Sequence, residues 1–113
     1  RLQTFTETQK RSRRARRQAE KKKFTIDLMK GNPIAVLTTY TSKLNKSRER
    51  HIHWAISWVT SSNKRVPHHL RVSAGRVLAS LAWPDERIPG IRNRLWDTGA
   101  TQKIICMART GEI

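Results

Sequence analysis

The sequence predicts a mainly α-helical protein, in which a long basic N-terminal helix precedes a small helical body. Three features lead to this fold class: a run without Gly or Pro from Thr6 to Lys30, helical spacing of later apolar residues, and Gly and Pro between segments. One short strand or hairpin near the C-terminus stays open as an alternative. The 113 residues suffice for one domain. We divide it into a basic helical arm, residues 1–31, and a small, mainly helical body, residues 32–113, with an irregular C-terminal part.

The first helix is predicted to be capped at Thr6, because Thr6 and Gln9 have the spacing of a capping box. Gly31, Asn32 and Pro33 then favour a stop after Lys30, since glycine suits the left-handed cap and proline cannot continue a helix. Four apolar side chains in its last turns are expected to anchor the helix end on a core: Phe24, Ile26, Leu28 and Met29.

The segment Ile34 to Thr41 could be helix or strand, since Asn32 and Pro33 can start a helix and its β-branched residues suit a strand. From Ser42 a helix is predicted up to Ser61. Its apolar face would hold Leu44, His51, Ile52, Ala55, Ile56 and Val59.

A third helix is predicted from Pro67 to Trp83, with Pro84 closing it and Gly75 weakening it by about 1 kcal/mol. The stretch from Pro84 to Gly99 suggests a loop with one helical turn near Ile91 to Trp96. Lys103 to Ala108 is an apolar run that suits either a final strand or a helix.

The charge balance points to a polyanionic partner. Lys and Arg number 24 against 8 Asp and Glu, which gives a net charge of +16 and a pI near 11.6. Nucleic acid is the natural partner, because each neutralised phosphate releases a counterion. A membrane surface usually needs an amphipathic helix with an apolar face, and the basic region contains none. The single Cys106 excludes a disulfide framework and a Cys-based zinc site.

Residues 10–23 carry the strongest signal, with nine basic side chains and one acid, Glu20. Arginine binds phosphate through two parallel hydrogen bonds and stacks on exposed bases. Residues after 23 hold 14 basic and 6 acidic side chains, still +8, so the body should also touch RNA. The predicted RNA-binding residues are Lys10, Arg11, Arg13, Arg14, Arg16, Arg17, Lys21, Lys22, Lys23, Lys43, Lys46, Arg48, Arg50, Lys64, Arg65, Arg92 and Arg94.

Other chemistry has little support in the sequence. His51 and His53, like the adjacent His68 and His69, point their rings apart, so we expect surface or RNA-facing histidines and no metal. Cys106 between Ile105 and Met107 is expected to be buried and unreactive. No catalytic or phosphate-loop motif occurs, so we predict no enzyme, no cofactor and no small-molecule substrate. Trp54 and Trp58 lie one helical turn apart. We interpret them as core residues in preference to a platform on which bases stack.

The run from Ser12 to Lys21, Ser-Arg-Arg-Ala-Arg-Arg-Gln-Ala-Glu-Lys, resembles the arginine-rich peptide of lambdoid phage antitermination N proteins. That resemblance implies a bent helix bound to a short RNA hairpin. Four tryptophans, Trp54, Trp58, Trp83 and Trp96, instead favour a packed body, which those largely disordered proteins lack.

The C-terminal part resembles the fourteenth small-subunit ribosomal protein family over about a quarter of the chain. The matching positions are Leu81, Pro84, Arg92-Asn93-Arg94, Thr98-Gly99, Ala108 and Gly111-Glu112-Ile113. The family's Arg-Pro-x-Gly and Arg-Lys-Phe-Gly stretches are absent after Gly99, and Leu95 stands where many members carry a zinc cysteine. The resemblance implies that Arg92 and Arg94 contact ribosomal RNA.

These observations predict a structural RNA-binding component of a large ribonucleoprotein, for which a mitochondrial ribosome is the favoured candidate. The expected partners are rRNA and the neighbouring proteins of that particle. The chain begins at Arg1 and not at Met, so either the sequence is trimmed or a leader was removed, and an organellar transit peptide is one such leader; cytoplasm is the alternative location. An antitermination-type regulator that binds one hairpin and a viral nucleic-acid-packaging protein are the alternative functions.

Overall fold

The computed structural model describes the backbone of residues 2–31, 35 and 45–113, and the side chains of 11–31, 35 and 48–113. These residues contain five α-helices: α1 Leu2–Lys30, α2 Asn45–Thr60, α3 His68–Ala82, α4 Ile91–Asp97 and α5 Ala100–Arg109. Within them no strand occurs, so the mainly α class is confirmed and the last apolar run is helix. Most of the segment 34–41, and the start predicted at Ser42, lie outside the described residues.

Helix α1 begins earlier than its predicted cap. It already includes Leu2, so the capping box at Thr6 and Gln9 was wrong. Residues 2–5 contain no Gly or Pro, and nothing in them breaks a helix. The predicted end at Lys30 is confirmed, with the Gly31 N–H donating to the Asp27 carbonyl at 2.8 Å.

The core lies between α2 and α3, and the other three helices pack onto this pair. The predicted inner face of α2 is confirmed over its described side chains. The buried apolar residues that hold the helices together include Ile52, Ala55, Ile56, Val59, Leu70, Ala74, Val77, Leu78, Leu81, Ile91, Leu95, Ala100 and Ile104.

The end of α1 is anchored by two of the four predicted side chains. Phe24 and Leu28, four residues apart on one face, are buried. Ile26 and Met29 are 41% and 38% exposed, so their predicted burial was wrong. Ile26 is rotated by about 200° from Phe24 around the helix, which turns it away from the body.

Gly75 marks the closest approach of α3 to the C-terminal segment. A Cβ atom added there would lie 3.1 Å from Met107 Sδ and 3.1 Å from Ile113 Cδ1. The glycine that weakens α3 on its own therefore permits tight packing against α5 and the chain end.

The C-terminal part is more helical than expected. The single turn predicted near Ile91 is the seven-residue helix α4, and Gly90 and Gly99, with φ of 80° and 82°, precede α4 and α5. In α5, Ala100, Thr101 and Ile104 face the core. Cys106 lies on the opposite side and is exposed, so its predicted burial was wrong. None of the described helices is both long and apolar enough to cross a membrane.

Candidate nucleic-acid interface

Every residue of α1 from 11 to 19 is exposed. Glu20 is the first partly buried residue after it, so this stretch is a solvent-facing helix whose charged side chains are cations alone. The predicted binding residues on α1 whose side chains the structure describes are all exposed: Arg11, Arg13, Arg14, Arg16, Arg17, Lys21, Lys22 and Lys23.

Three predicted residues have no described side chain. Lys10 lies in α1 and Lys46 lies in α2, and of these only the helical backbone is described. Lys43 lies outside the described residues.

Arg50 joins the arm to the body. Its Nε and Nη2 donate to Glu20 Oε2 and Oε1 at 2.9 and 3.1 Å, a bidentate pair between α2 and α1. The hydrogen bond to this guanidinium lowers the pKa of the Glu20 carboxyl and raises that of Arg50; partial burial opposes both shifts. Arg50 is thus engaged within the protein.

Beside this pair lies an open cleft of about 310 Å³, lined by Arg13, Arg16, Arg17, Glu20 and Arg50. Three arginines of α1 converge there around one neutralised pair, which leaves the cleft strongly cationic. Such a concentration of guanidinium groups suits phosphate oxygens.

An aromatic cluster supports the inner side of the arm. Phe24 stacks on Trp58 with ring centroids 5.7 Å apart, and meets His51 edge-on at 4.4 Å. The interpretation of the tryptophan pair as core is confirmed, with Trp58 buried and Trp54 half-buried. His51 is buried at 1% exposure, so the prediction of a surface histidine was wrong at this position. Its ring fills the space between Phe24 and Trp54.

Lys21 differs from the other cations of the arm. Its Nζ lies 5.9 Å from the centroid of the Trp54 ring, a cation–π distance. The stem of Lys21 thereby covers the half-buried indole while its charge stays at the surface.

Arg92 and Arg94 bond inside the protein. Arg92 Nε donates to the Ala82 carbonyl and its Nη2 to the Pro84 carbonyl, both at 2.6 Å, so the side chain closes the C-terminal end of α3. Arg94 Nη1 lies 2.7 Å from Glu49 Oε2 on α2. The contact with ribosomal RNA implied by the family resemblance therefore competes with an internal role at both positions.

The remaining predicted RNA-binding residues of the body differ in their exposure to solvent. Lys64 and Arg65 are exposed in the connection between α2 and α3, where the Arg65 N–H donates to Asn63 Oδ1 at 2.9 Å. This turn confirms the predicted end of α2. Arg48 is half-buried.

Several exposed cations were absent from the prediction: Lys30, Arg87, Lys103 and Arg109. Lys103 and Arg109 lie on α5 and are not among its core-facing residues. An amphipathic helix over this segment places both on its polar face, which is the signal in the sequence that identifies them. Arg76 bonds to the Glu112 carbonyl, and Arg71 to the Asn63 carbonyl.

Two exposed histidines, His68 and His69, each make a polar contact. His68 Nε2 lies 2.9 Å from Glu112 Oε2, and His69 Nε2 lies 3.2 Å from the Met29 carbonyl. Over the described part of the chain, no three His, Cys, Asp or Glu side chains are grouped as metal ligands.

The resemblance of residues 12–21 to antitermination N proteins, and that of the C-terminal part to a ribosomal protein family, rest on sequence motifs alone. No protein-family model, no curated protein and no solved structure matches this chain.

Proposed function

We propose that this chain is a structural RNA-binding component of a large ribonucleoprotein, with a mitochondrial ribosome as its place of action. It binds RNA mainly through phosphates and performs no catalysis. One observation carries the proposal: every residue of α1 from 11 to 19 is exposed, and cations are the only charged side chains there.

The arginines of this stretch point in several directions. Successive helical residues are rotated by about 100°, so Arg13, Arg14 and Arg16 lie at about 0°, 100° and 300° around the axis. A flat polyanion would engage only one side of such a helix. RNA that encloses the helix on several sides can neutralise all of them, and this supports a component embedded in folded RNA.

The antitermination-type regulator remains a second candidate because of one observation. Arg71, Arg76, Arg92 and Arg94 bond within the body, and Arg50 bonds to Glu20 of the arm. These contacts reduce the number of body cations available to RNA and concentrate accessible charge in the arm. A protein that reads a single hairpin with its arm would have this distribution.

The test is ultraviolet crosslinking of the protein in its native lysate, followed by sequencing of the attached RNA. Reads at several distant stretches of ribosomal RNA support the proposal. Reads confined to one hairpin of a messenger RNA overturn it in favour of the regulator. Crosslinks spread over all RNA and DNA overturn it in favour of a packaging protein.

A further inference from the structure

A second surface lies where α1 meets the start of α3. It is an open groove of about 440 Å³, a volume within the range of small-ligand pockets. Its base is apolar: Trp58 and Leu70 are buried, Val66 is half-buried, and Ile26 is 41% exposed along one side.

Cations surround this apolar base. Lys21 and Lys22 contribute from α1 and Arg65 from the α2–α3 connection; all three are exposed, and the described lining contains no acid. Gln18, one turn before Lys22, adds an amide that can both donate and accept hydrogen bonds.

From this arrangement we infer that the groove between α1 and α3 accepts an unpaired nucleobase of the bound RNA. The flanking phosphates would contact Lys21, Lys22 and Arg65, while the base lies on the apolar floor. This inference rests on the proposed function and names the part of the RNA that enters the groove: a single-stranded or extruded nucleotide.

Charge complementarity selects this occupant. Three cations around an apolar floor match a nucleotide, which joins a flat base to an anionic backbone. Arg65 can also stack its planar guanidinium on the base. The groove lies on the helix that carries the cationic stretch 11–19, so RNA bound along α1 reaches it without leaving the protein surface. A neutral apolar peptide would leave these cations unneutralised.

The experiment compares two labelled probes with the full chain: a short single-stranded oligoadenylate, and an abasic phosphodiester strand of equal length. Both carry the same charge, so their difference measures base contact alone. We expect the oligoadenylate to bind about tenfold more tightly, the order of one stacked base. Ile26→Asn should remove most of this preference and leave the affinity for the abasic strand unchanged.

Ile105→Asn is the matched control, because Ile105 is 43% exposed on α5 and does not line the groove. Equal affinity of the wild type for both probes overturns the base groove but leaves phosphate binding intact. Failure of both probes to bind contradicts the proposed function itself. Binding of a labelled acidic amphipathic peptide that Ile26→Asn abolishes, without any base preference, assigns the groove to a protein partner and also overturns the inference.

Discussion

Glu20 and Arg50 form two hydrogen bonds, of 2.9 and 3.1 Å, which join α1 to α2 directly after the exposed stretch 11–19. Thirty residues separate the two in sequence. The pair therefore fixes the direction in which the arm leaves the body.

Glu20→Gln should lower the free energy of unfolding near neutral pH by about 0.5–1 kcal/mol, since both side chains are partly solvated. Folding lowers the pKa of Glu20, so its contribution is present above the ordinary carboxyl pKa and is lost as the pH falls through the folded-state pKa. Urea denaturation should show the gap between wild type and variant closing below about pH 4. A difference in the free energy of unfolding that does not change with pH would contradict this role. An equal difference for the control Asp85→Asn, at an exposed position, would contradict it as well.

Phe24→Ala should destabilise the protein by about 3–5 kcal/mol, because the ring is fully buried against His51 and Trp58. Ile26→Ala, two residues along the same helix, removes a side chain that is 41% exposed and should change stability by less than about 1 kcal/mol. Thermal or chemical denaturation of both variants measures the difference. Equal losses would mean that α1 packs on a different face.

The double variant Arg11→Gln, Arg14→Gln removes two exposed arginines that do not line the Glu20 cleft. The slope of log affinity for RNA against log salt should become less steep by about 1.4–1.8, from two phosphate contacts. Lys103→Gln with Arg109→Gln on α5 is the control with the same change in charge. A larger effect from the α5 pair would transfer the main interface from the arm to the body.

Arg92→Ala should lower the free energy of unfolding by about 1–3 kcal/mol, because the Ala82 carbonyl at the end of α3 and the Pro84 carbonyl after it lose a charged donor. Its RNA affinity should be unchanged. Arg65→Ala should give the opposite pattern, with weaker RNA binding and stability within about 0.5 kcal/mol of wild type. Denaturation and binding titrations of both variants test this, and a loss of RNA affinity without loss of stability at Arg92 would restore the role implied by the ribosomal resemblance.

A peptide of residues 4–31 should be only partly helical alone and gain helicity when RNA is added. It lacks the body that buries Phe24 and Leu28, and its like charges repel each other until phosphates neutralise them. Circular dichroism with and without RNA measures the change. Helicity that RNA does not alter would show that the arm is formed before binding.

The helices could be predicted where short-range signals set their limits. Gly31 stops α1, Pro67 precedes α3, and helical spacing places Ile52, Ala55 and Val59 on one face. These signals act within a few residues, so they can be recognised without knowledge of the packing. The exposure of the arm's cations was also predictable, because a helix with basic residues on all sides has no apolar face to bury.

The internal roles of the arginines could not be predicted from the sequence. Arg92 bonds to carbonyls eight and ten residues before it, and Arg94 to an acid 45 residues before it. Such partners meet only through tertiary packing, and composition cannot distinguish them from phosphate-binding residues. Exposure of Cys106 likewise depends on how α5 docks, whereas helical spacing alone placed His51 on the buried face of α2.

The length of α1 sets a geometric rule for its partner. A helix of 29 residues is about 44 Å long, and the buried side chains that anchor it, Phe24 and Leu28, lie near its end. The molecule accordingly measures 57 Å along its longest axis and only 31 and 27 Å along the others. Under the proposed function, RNA bound near Arg14 and RNA bound at Arg65 would therefore be kept apart by a distance that the length of α1 sets.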